Sequence, residues 1–433
     1  MLLIHRMIRT IVDKITFGRT SGGTPVITEN IRGAISSGFL VAVGTGSRDE
    51  RKEIAGISHL LEHIVFRGTE KRTSLQISKE IENAGGEMNA FTAKEMTAFY
   101  GITLKDTSGT AKELVADICT QPLISGNDTE LEKKIVLQEI SMWENDPDSY
   151  IHKLFAETVW NGHELSQNEA GTTEVVSALT NAELREYFEE RYKRPNIAVF
   201  ACGSVDAAET VRWAEECFDP VGAGKKVRRT PPPSAGAAYR LFPRKGDHTY
   251  IGMGFHAYPA DHKDRAALKL LTAVLGAGMS SRLFREIREE RALVYSVFGT
   301  MDQNSDAGSM AAYMSSTEEN VIEAISTAAK VLKGLRDGGL EKGELDRARN
   351  LLKGATARKM ESTDDRLYRM TKMFMLTGKA EPFTKDMNAL DRVTEEDVMR
   401  VASDVITAKK LNIAIYGKRT KELSKMTIDQ IDI

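Results

Sequence analysis

The sequence predicts a mixed α+β protein built from two related halves. Its 433 residues exceed the usual size of one domain and can bury a core in each half. A Gly-, Pro- and basic-rich stretch, 221–238 (VGAGKKVRRTPPPSAGAA), is typical of a solvated linker. On either side of it, Leu179–Gly203 and Val393–Gly417 repeat the same order of signals: a capping box, an amphipathic helix and an apolar strand before Gly. We therefore expect domains at 1–220 and 239–433.

The elements of the first half follow from the spacing of its apolar residues. Strands are expected near 24–28 and 38–44, followed by a short helix, and a second helix begins at a capping box formed by Thr73 and Gln76. The stretch EMNAFTAKEMTAFYGITL then predicts two strands, the second alternating over 97–104. Two further helices follow, and the second is expected over 129–143 with Thr129 as its N-cap.

Composition indicates an ordinary globular protein. The net charge is −3, with 41% hydrophobic and 28% charged residues, so neither a nucleic-acid partner nor a membrane partner is predicted. The segment Met1–Thr16 is too polar for a secretory signal, and Asp13 argues against a mitochondrial presequence. Cys119, Cys202 and Cys217 lack metal-ligand spacing and fit a reducing compartment. We expect a cytoplasmic protein, with the mitochondrial matrix as the alternative.

The run SHLLEH in the first half points to chemistry. His59 and His63 are four residues apart, so on a helix both imidazoles can reach one ion, and Glu62 lies beside them. This H-x-x-E-H pattern is the inverted form of a zinc hydrolase motif. With only 8 His in the chain, about 0.01 such patterns are expected by chance. The pattern predicts metal-assisted hydrolysis.

A catalytic zinc ion needs a third protein ligand, and a carboxylate is the natural choice. Glu139 lies on a helical stripe with Leu131, Ile135 and Met142, where a surface glutamate would be unusual. We therefore expect this stripe to be buried and Glu139 to bind the ion. Glu132 is seven residues earlier, near the same face, and is either a carboxylate that orients a ligand or a solvated helix acid.

The block GSRDERKEIAGISHLLEHIVFRGTEKRTSLQI resembles the signature of the M16 metallopeptidases, the family of pitrilysin and mitochondrial processing peptidase. KKIVLQEI matches the family's ligand helix, 76 residues after the second histidine (139 − 63). The resemblance extends over nearly the whole chain. It implies two homologous α/β roll domains, each a mixed sheet with helices packed on one face and together an internal duplication, with the metal motif only in the first.

The resemblance also implies a zinc-dependent endopeptidase with one Zn²⁺ per chain, bound by His59, His63 and Glu139. Glu62 would be the general base and Glu132 the auxiliary acid. The family's N-A-x-T substrate strand is matched by Asn89, Ala90, Phe91 and Thr92. Its substrate-facing Arg/Tyr pair is matched by Arg288 and Tyr295, which without the family would be an ordinary helix charge and strand aromatic.

Short members of this family work as facing pairs of chains, which implies a homodimer whose sites are completed in trans around a closed chamber for unfolded peptides. Three alternatives remain open. The chain could be a non-catalytic core or scaffold subunit, although its metal motif is intact. It could be an obligate heterodimer partner, or a small-molecule metallohydrolase.

Overall fold

The structure is a computed structural model that describes residues 14–233 and 236–433. The expectations for the basic N-terminal segment up to Asp13, and for Ser234 and Ala235 of the linker, fall outside the described residues. The described chain forms two compact units. The first contains the described residues up to Ile140 together with Gln167–Arg229 and Ala357–Lys385, and the second contains Ser141–Ser166, Thr230–Thr356 and Asp386–Ile433.

The first unit is built on a six-stranded mixed sheet in the order β1-β2-β6-β3-β5-β4. Its strands are β1 Lys14–Arg19, β2 Pro25–Asn30, β3 Ser36–Val43, β4 Glu87–Thr92, β5 Thr97–Leu104 and β6 Ile197–Gly203. Strands β2 and β6 are parallel, and the other neighbours are antiparallel. The predicted strand over 97–104 is matched residue for residue by β5.

The second unit has a five-stranded sheet in the order β7-β11-β8-β10-β9. Its strands are β7 Ala238–Pro243, β8 His248–Ala257, β9 Ser296–Gln303, β10 Gly308–Thr317 and β11 Leu411–Gly417. Here β7 and β11 are parallel and the remaining pairs antiparallel, so the pattern of β2-β6-β3-β5-β4 is repeated. The predicted fold of two homologous α/β domains is confirmed.

Fifteen α-helices accompany these sheets in the described ranges. In chain order they are α1 Ile57–Ile64, α2 Ser74–Asn83, α3 Ser108–Thr120, α4 Gly126–Glu144, α5 Pro147–Val159, α6 Thr173–Ala178, α7 Asn181–Arg191, α8 Ala207–Phe218, α9 Arg265–Gly276, α10 Val321–Gly338, α11 Glu344–Lys359, α12 Thr363–Thr377, α13 Phe383–Arg392, α14 Glu395–Val405 and α15 Lys421–Lys425. The predicted capping boxes begin α2, α7 and α14 as expected. None of the helices in this part of the chain is long and apolar enough to cross a bilayer.

Each sheet has one face covered by several helices and the other by a single helix. The crowded face of the first sheet packs against α1, α3, α4 and α8, and that of the second against α9, α10 and α14. The opposite face of the first sheet is covered by α12, whose Leu367 and Met370 are buried, although α12 comes from the second half of the sequence. Conversely, α5 from the first half covers the second sheet with Leu154 and Phe155.

This exchange of helices is not visible in the sequence pattern, which predicts domains as continuous stretches. An amphipathic helix shows which of its faces will be buried, but not against which sheet. The boundaries 1–220 and 239–433 describe the duplicated segments, and the compact units combine them differently.

Candidate metal centre

Helix α1 presents the H-x-x-E-H motif on one face. Its apolar residues, Ile57, Leu60, Leu61 and Ile64, recur at helical spacing and are completely buried in the core of the first unit. Because positions i and i+4 lie on one side of a helix, His59 and His63 are left together on the opposite face. Their ring centroids are 4.8 Å apart. The hydrophobic burial of α1 therefore sets the orientation of both imidazoles.

The start of α1 is held by Glu50, which sequence reasoning missed. This buried carboxylate accepts hydrogen bonds from the backbone N–H groups of Gly56, at 2.6 Å, and Ser58, at 2.8 Å. These are N–H groups that have no partner within the helix, so Glu50 replaces an N-cap. Gly56 is required here because its φ is 96° and a Cβ would lie 2.6 Å from the carbonyl oxygen of Ala170. Glu50 lies in a charged run with Asp49 and Glu53, so no signal in the sequence singles it out.

Helix α4 supplies the acidic side chains, but it is oriented differently from the expectation. The side chains of Leu131, Ile135 and Met142 are exposed, so the prediction of a buried stripe is wrong. The helix instead buries Thr129, Glu132, Lys133, Val136 and Ile140. It also begins three residues earlier than predicted, so Thr129 is not its N-cap. Glu139 is reachable from solvent, with 45% of its side chain exposed.

His59, His63 and Glu139 are nevertheless brought together. One ligand atom of each lies within 4.8 Å of the others, the one such set of three found among the described residues. The Glu139 Oε2 atom is 3.8 Å from Nε2 of His59 and 3.5 Å from Nε2 of His63. Two imidazoles and one carboxylate form the donor set of many catalytic zinc sites, which keep a fourth position open. The residues present therefore fit a zinc ion.

Glu132 lies behind the second histidine. Its Oε2 is 3.0 Å from Nδ1 of His63, and its Oε1 accepts a hydrogen bond from Nε of Arg67. Such a contact holds the imidazole in the tautomer that leaves Nε2 available to a metal. The alternative of a solvated helix acid does not describe Glu132, which is buried. Arg67 was missed, although it follows His63 by one helical turn.

Glu62 is positioned by the end of strand β4. The Thr92 hydroxyl donates a hydrogen bond to Oε2 of Glu62 at 2.5 Å. Thr92 was expected only as part of a substrate strand, and this contact gives its side chain a further role. The other oxygen, Oε1, has no hydrogen-bond partner among the described residues. It can therefore face a reacting group.

Burial and neighbouring charges determine the protonation of these groups. Burial, reinforced by His63, lowers the pKa of His59 to about 4, so this imidazole is neutral at pH 7 and can bind a metal. Burial also lowers the pKa of His63, but Glu132, Glu139 and Glu62 together raise it above the usual value. Burial raises the pKa of Glu62 despite the Thr92 hydrogen bond, which is the direction expected of a general base. Burial also raises the pKa of Glu132, but His63 and Arg67 reverse this and hold it below its ordinary value.

Strand β4 lies at the edge of its sheet and contains the predicted substrate strand. It pairs with β5 on one side, and its outer edge has no strand partner in the described ranges. The side chain of Asn89 is exposed, whereas Ala90 packs on the core and Phe91 lies on the opposite face against Tyr368. An edge of this kind can accept an additional strand.

Arg288 and Tyr295 belong to the second unit. Arg288 lies in a π-helical turn, Phe284–Glu289, and its guanidinium is 4.8 Å from the ring centroid of Phe284. Tyr295 has 78% of its surface exposed, an unusual state for a tyrosine. Between them, Ala292 has a φ of 51°, a strained conformation for a residue with a Cβ. Such strain and π-helical turns are concentrated at functional sites.

Comparison with family profiles finds two matches that follow one another along the chain. A profile described as insulinase, peptidase family M16, matches residues 25–173, which include the three predicted ligands. A second, described as the inactive domain of peptidase M16, matches residues 178–352, which include Arg288 and Tyr295.

Curated relatives and solved structures resemble the chain along its length. An uncharacterised zinc protease of Streptomyces coelicolor is 34% identical over 414 residues, covering 94% of this chain and 90% of that protein. One from Bacillus subtilis is 29% identical over 385 residues, covering 89% and 94%. The structure of a peptidase M16 inactive domain from Pseudomonas fluorescens has a TM-score of 0.87 at 18% sequence identity, covering 94% of this chain and 98% of that one. The structure of a Helicobacter pylori protease has a TM-score of 0.86 at 19% identity, covering 94% of this chain and 100% of that one. A chain of complex III2 from Candida albicans has 0.83 at 20%, covering 96% and 98%. The structural likenesses show a shared fold.

Proposed function

The chain belongs to peptidase family M16, and from that premise we propose that it is a zinc-dependent endopeptidase that cleaves unfolded peptides. The observation that carries the proposal is the set formed by His59, His63 and Glu139, with Glu62 close enough to His63 and Glu139 for their charges to affect its pKa. The names of the relatives from S. coelicolor and B. subtilis, both called zinc proteases, support the same metal and reaction class.

In this proposal His59, His63 and Glu139 hold one zinc ion per chain. When bound, the ion polarises the scissile carbonyl and lowers the pKa of a water molecule. The hydrogen bond that His63 Nδ1 donates to Glu132, at 3.0 Å, orients one ligand. Burial keeps His59 neutral, so this ligand needs no deprotonation at pH 7.

Glu62 serves as general base and then as general acid. Its Oε2 is engaged by Thr92, so Oε1 takes the proton of the attacking water and passes it to the leaving amine. The raised pKa of Glu62 suits the first step, because a carboxylate with an ordinary pKa is a weaker base and takes the proton less readily.

The free edge of β4 binds the substrate as an added strand. Backbone hydrogen bonds to Asn89, Ala90, Phe91 and Thr92 would align an extended peptide next to Glu62, since Thr92 contacts both this edge and the carboxylate. Peptides already folded into helices or sheets cannot pair in this way, which gives selectivity for unfolded chains.

Arg288 and Tyr295 donate hydrogen bonds to the substrate carbonyl as it gains negative charge. A guanidinium and a phenol are suitable donors, and the exposure of Tyr295 leaves its hydroxyl accessible. We place this pair in the site of a second chain, so that a homodimer completes each site in trans around a closed chamber. A heterodimer in which another protein supplies the pair is the alternative assembly.

The test is Glu62→Gln, which preserves the shape of the side chain but removes the base. We expect peptide turnover to fall roughly 100- to 10,000-fold while bound zinc stays near one ion per chain. Glu53→Gln, an exposed acid just before the motif, is the matched control and should be fully active. If Glu62→Gln kept the wild-type turnover, or if a chelator did not affect the wild type, a zinc-dependent peptidase with Glu62 as its base would be excluded.

A non-catalytic scaffold subunit is the competing function. The chain shares its fold with a chain of complex III2 from C. albicans, so the fold alone does not separate the two. The intact arrangement of Glu62, Thr92 and the three ligands favours the enzyme, because a scaffold has no need of a partly buried base beside a metal site.

A further inference from the structure

Two loops of the first unit support the proposed site at different points. The first, 44–50, ends at Glu50, which caps the helix that bears the histidines. The second, 93–96, directly follows Thr92, the residue that hydrogen bonds to Glu62. The distance between these loops therefore sets the position of Glu62 relative to Thr92.

The loops contact each other through their backbones. The N–H of Ser47 donates to the carbonyl of Ala93 at 3.2 Å, and the N–H of Arg48 donates to the carbonyl of Lys94 at 2.9 Å. At Gly46 a Cβ would lie 2.1 Å from the Ala93 oxygen, so only glycine permits this approach.

Each loop also contains a buried acid. The side chain of Asp49 is 2% exposed and that of Glu95 is 1% exposed. Glu95 forms a buried ion pair with Arg48. Buried carboxylates require cations or several donors, so Asp49 needs a partner of its own.

That partner is Arg229, from the segment expected to be a solvated linker. Its guanidinium donates two hydrogen bonds to Asp49, to Oδ1 at 2.9 Å and to Oδ2 at 2.8 Å. It also donates to the backbone carbonyls of Gly44, at 3.1 Å, and Glu95, at 2.8 Å, and lies 3.6 Å from the Glu95 carboxylate. One side chain thus binds both loops, in the bidentate geometry that arginine makes and lysine does not.

The neighbours of Arg229 behave as expected for a linker. Lys225, Lys226 and Arg228 are exposed. Arg229 is also the last residue of the first unit, before the chain enters the second at Thr230. A linker that only joins two domains has no need to bury one of its guanidinium groups against two acids.

We propose that Arg229 is a positioning residue for the peptidase reaction, clamping loops 44–50 and 93–96 so that Thr92 stays within hydrogen-bond distance of Glu62. It acts through Asp49 and Glu95 and does not touch the substrate or the metal. This rests on the proposed function.

The experiment compares Arg229→Ala with Arg228→Ala, an exposed neighbour of the same type. In Arg229→Ala we expect kcat to fall roughly 10- to 100-fold, because small displacements of a reacting group are costly, while KM changes less than about threefold. Arg228→Ala should match the wild type. Arg229→Lys keeps the charge but not the bidentate contact, so its kcat should lie between those of the wild type and Arg229→Ala. If Arg229→Ala does not fold, Arg229→Lys takes its place in the comparison.

A double-mutant cycle with Thr92→Val tests the route. If Arg229 acts through the contact between Thr92 and Glu62, Arg229→Ala should lower kcat much less in the Thr92→Val background. Equal effects in both backgrounds, or an Arg229 variant with wild-type kcat, would overturn the proposal.

Hydrogen exchange of backbone amides in the metal-free protein tests the proposal without measuring catalytic activity. Amides of 44–50 and 93–96 should exchange faster in Arg229→Ala than in Arg228→Ala. A change confined to the linker would overturn the proposal. If the wild type cleaves no peptide, the proposed function fails, yet this measurement still shows whether Arg229 holds the two loops together.

Discussion

Glu132 and Glu139 lie two turns apart on α4 and approach the same histidine from different sides. The first contacts Nδ1 of His63 at 3.0 Å, and the second is 3.5 Å from its Nε2. Only the nitrogen that faces Glu139 is close to His59 and available to an ion. Two acids of the same type are therefore suited to different tasks, one as a ligand and the other as the partner that orients a ligand.

Replacing the orienting acid should weaken the metal site without removing it. We predict that Glu132→Gln lowers zinc affinity roughly 10- to 100-fold, because the amide cannot supply the charge that fixes the His63 tautomer. Competition with a chromophoric chelator would measure the dissociation constant, with the exposed Glu189→Gln as control. Equal zinc affinity in both variants would mean that Glu132 only stabilises the fold.

At the level of secondary structure, the start of α1 depends on a carboxylate in an unfavourable environment. Burial raises the pKa of Glu50 to about 7, although the Ser58 and Gly56 hydrogen bonds oppose this shift. In the unfolded chain the group has its ordinary pKa of 4.5. Between these two values the folded state binds more protons, so the contribution of Glu50 to stability decreases as the pH rises from 4.5 to 7.

Glu50→Gln should remove this pH dependence. The wild type should lose up to about 3 kcal/mol of unfolding free energy relative to the variant as the pH rises from 4.5 to 8, since each pKa unit corresponds to about 1.4 kcal/mol. Urea unfolding of the metal-free proteins at several pH values would measure the difference. Parallel stability curves for the two proteins would show that Glu50 titrates normally in the folded state.

At the level of the whole molecule, the metal set and the Arg/Tyr pair belong to different compact units. The proposed homodimer combines the metal set of one chain with Arg288 and Tyr295 of another. A C₂ dimer contains two such sites, and each depends on both chains.

Mixing two inactive variants tests this assembly. Glu62→Gln and Arg288→Ala should each be nearly inactive alone, but a refolded equimolar mixture should recover about a quarter of wild-type turnover, because half of the dimers carry one intact site of two. The control is a mixture of Glu62→Gln with a chain that carries both Glu62→Gln and Arg288→Ala. No dimer in it has an intact site, so it should recover no turnover. Absence of recovery despite demonstrated subunit exchange would place all catalytic groups of a site on one chain.

Much of this architecture could be predicted because it depends on local patterns. The capping boxes of Thr73, Thr180 and Thr394 are satisfied within one turn, so sequence spacing identifies them directly. The alternation in 97–104 similarly predicts β5. The histidine pair needs only the geometry of one helix, which is why H-x-x-E-H was informative before any fold was known.

Helix α4 shows the limit of such patterns. A helix with apolar residues on more than one face does not reveal which face will be buried. The stripe of Leu131, Ile135 and Met142 is exposed, so the proximity of Glu139 to both histidines follows from packing and not from burial in an apolar stripe. The roles of Arg67 and Glu50 depend on contacts with other elements in the same way.

The sequence by itself determined the two related halves, most of the elements and the reaction class suggested by H-x-x-E-H, since each of these depends on residues close together in the chain. Only the tertiary structure decided which sheet each exchanged helix covers, that Glu50 caps the start of α1, and that Arg229 of the linker binds Asp49 and Glu95. Asp49 and Arg229 are 180 residues apart. Contacts at such separation are selected by the burial of charge and apolar surface in the folded chain, which no short stretch of sequence records.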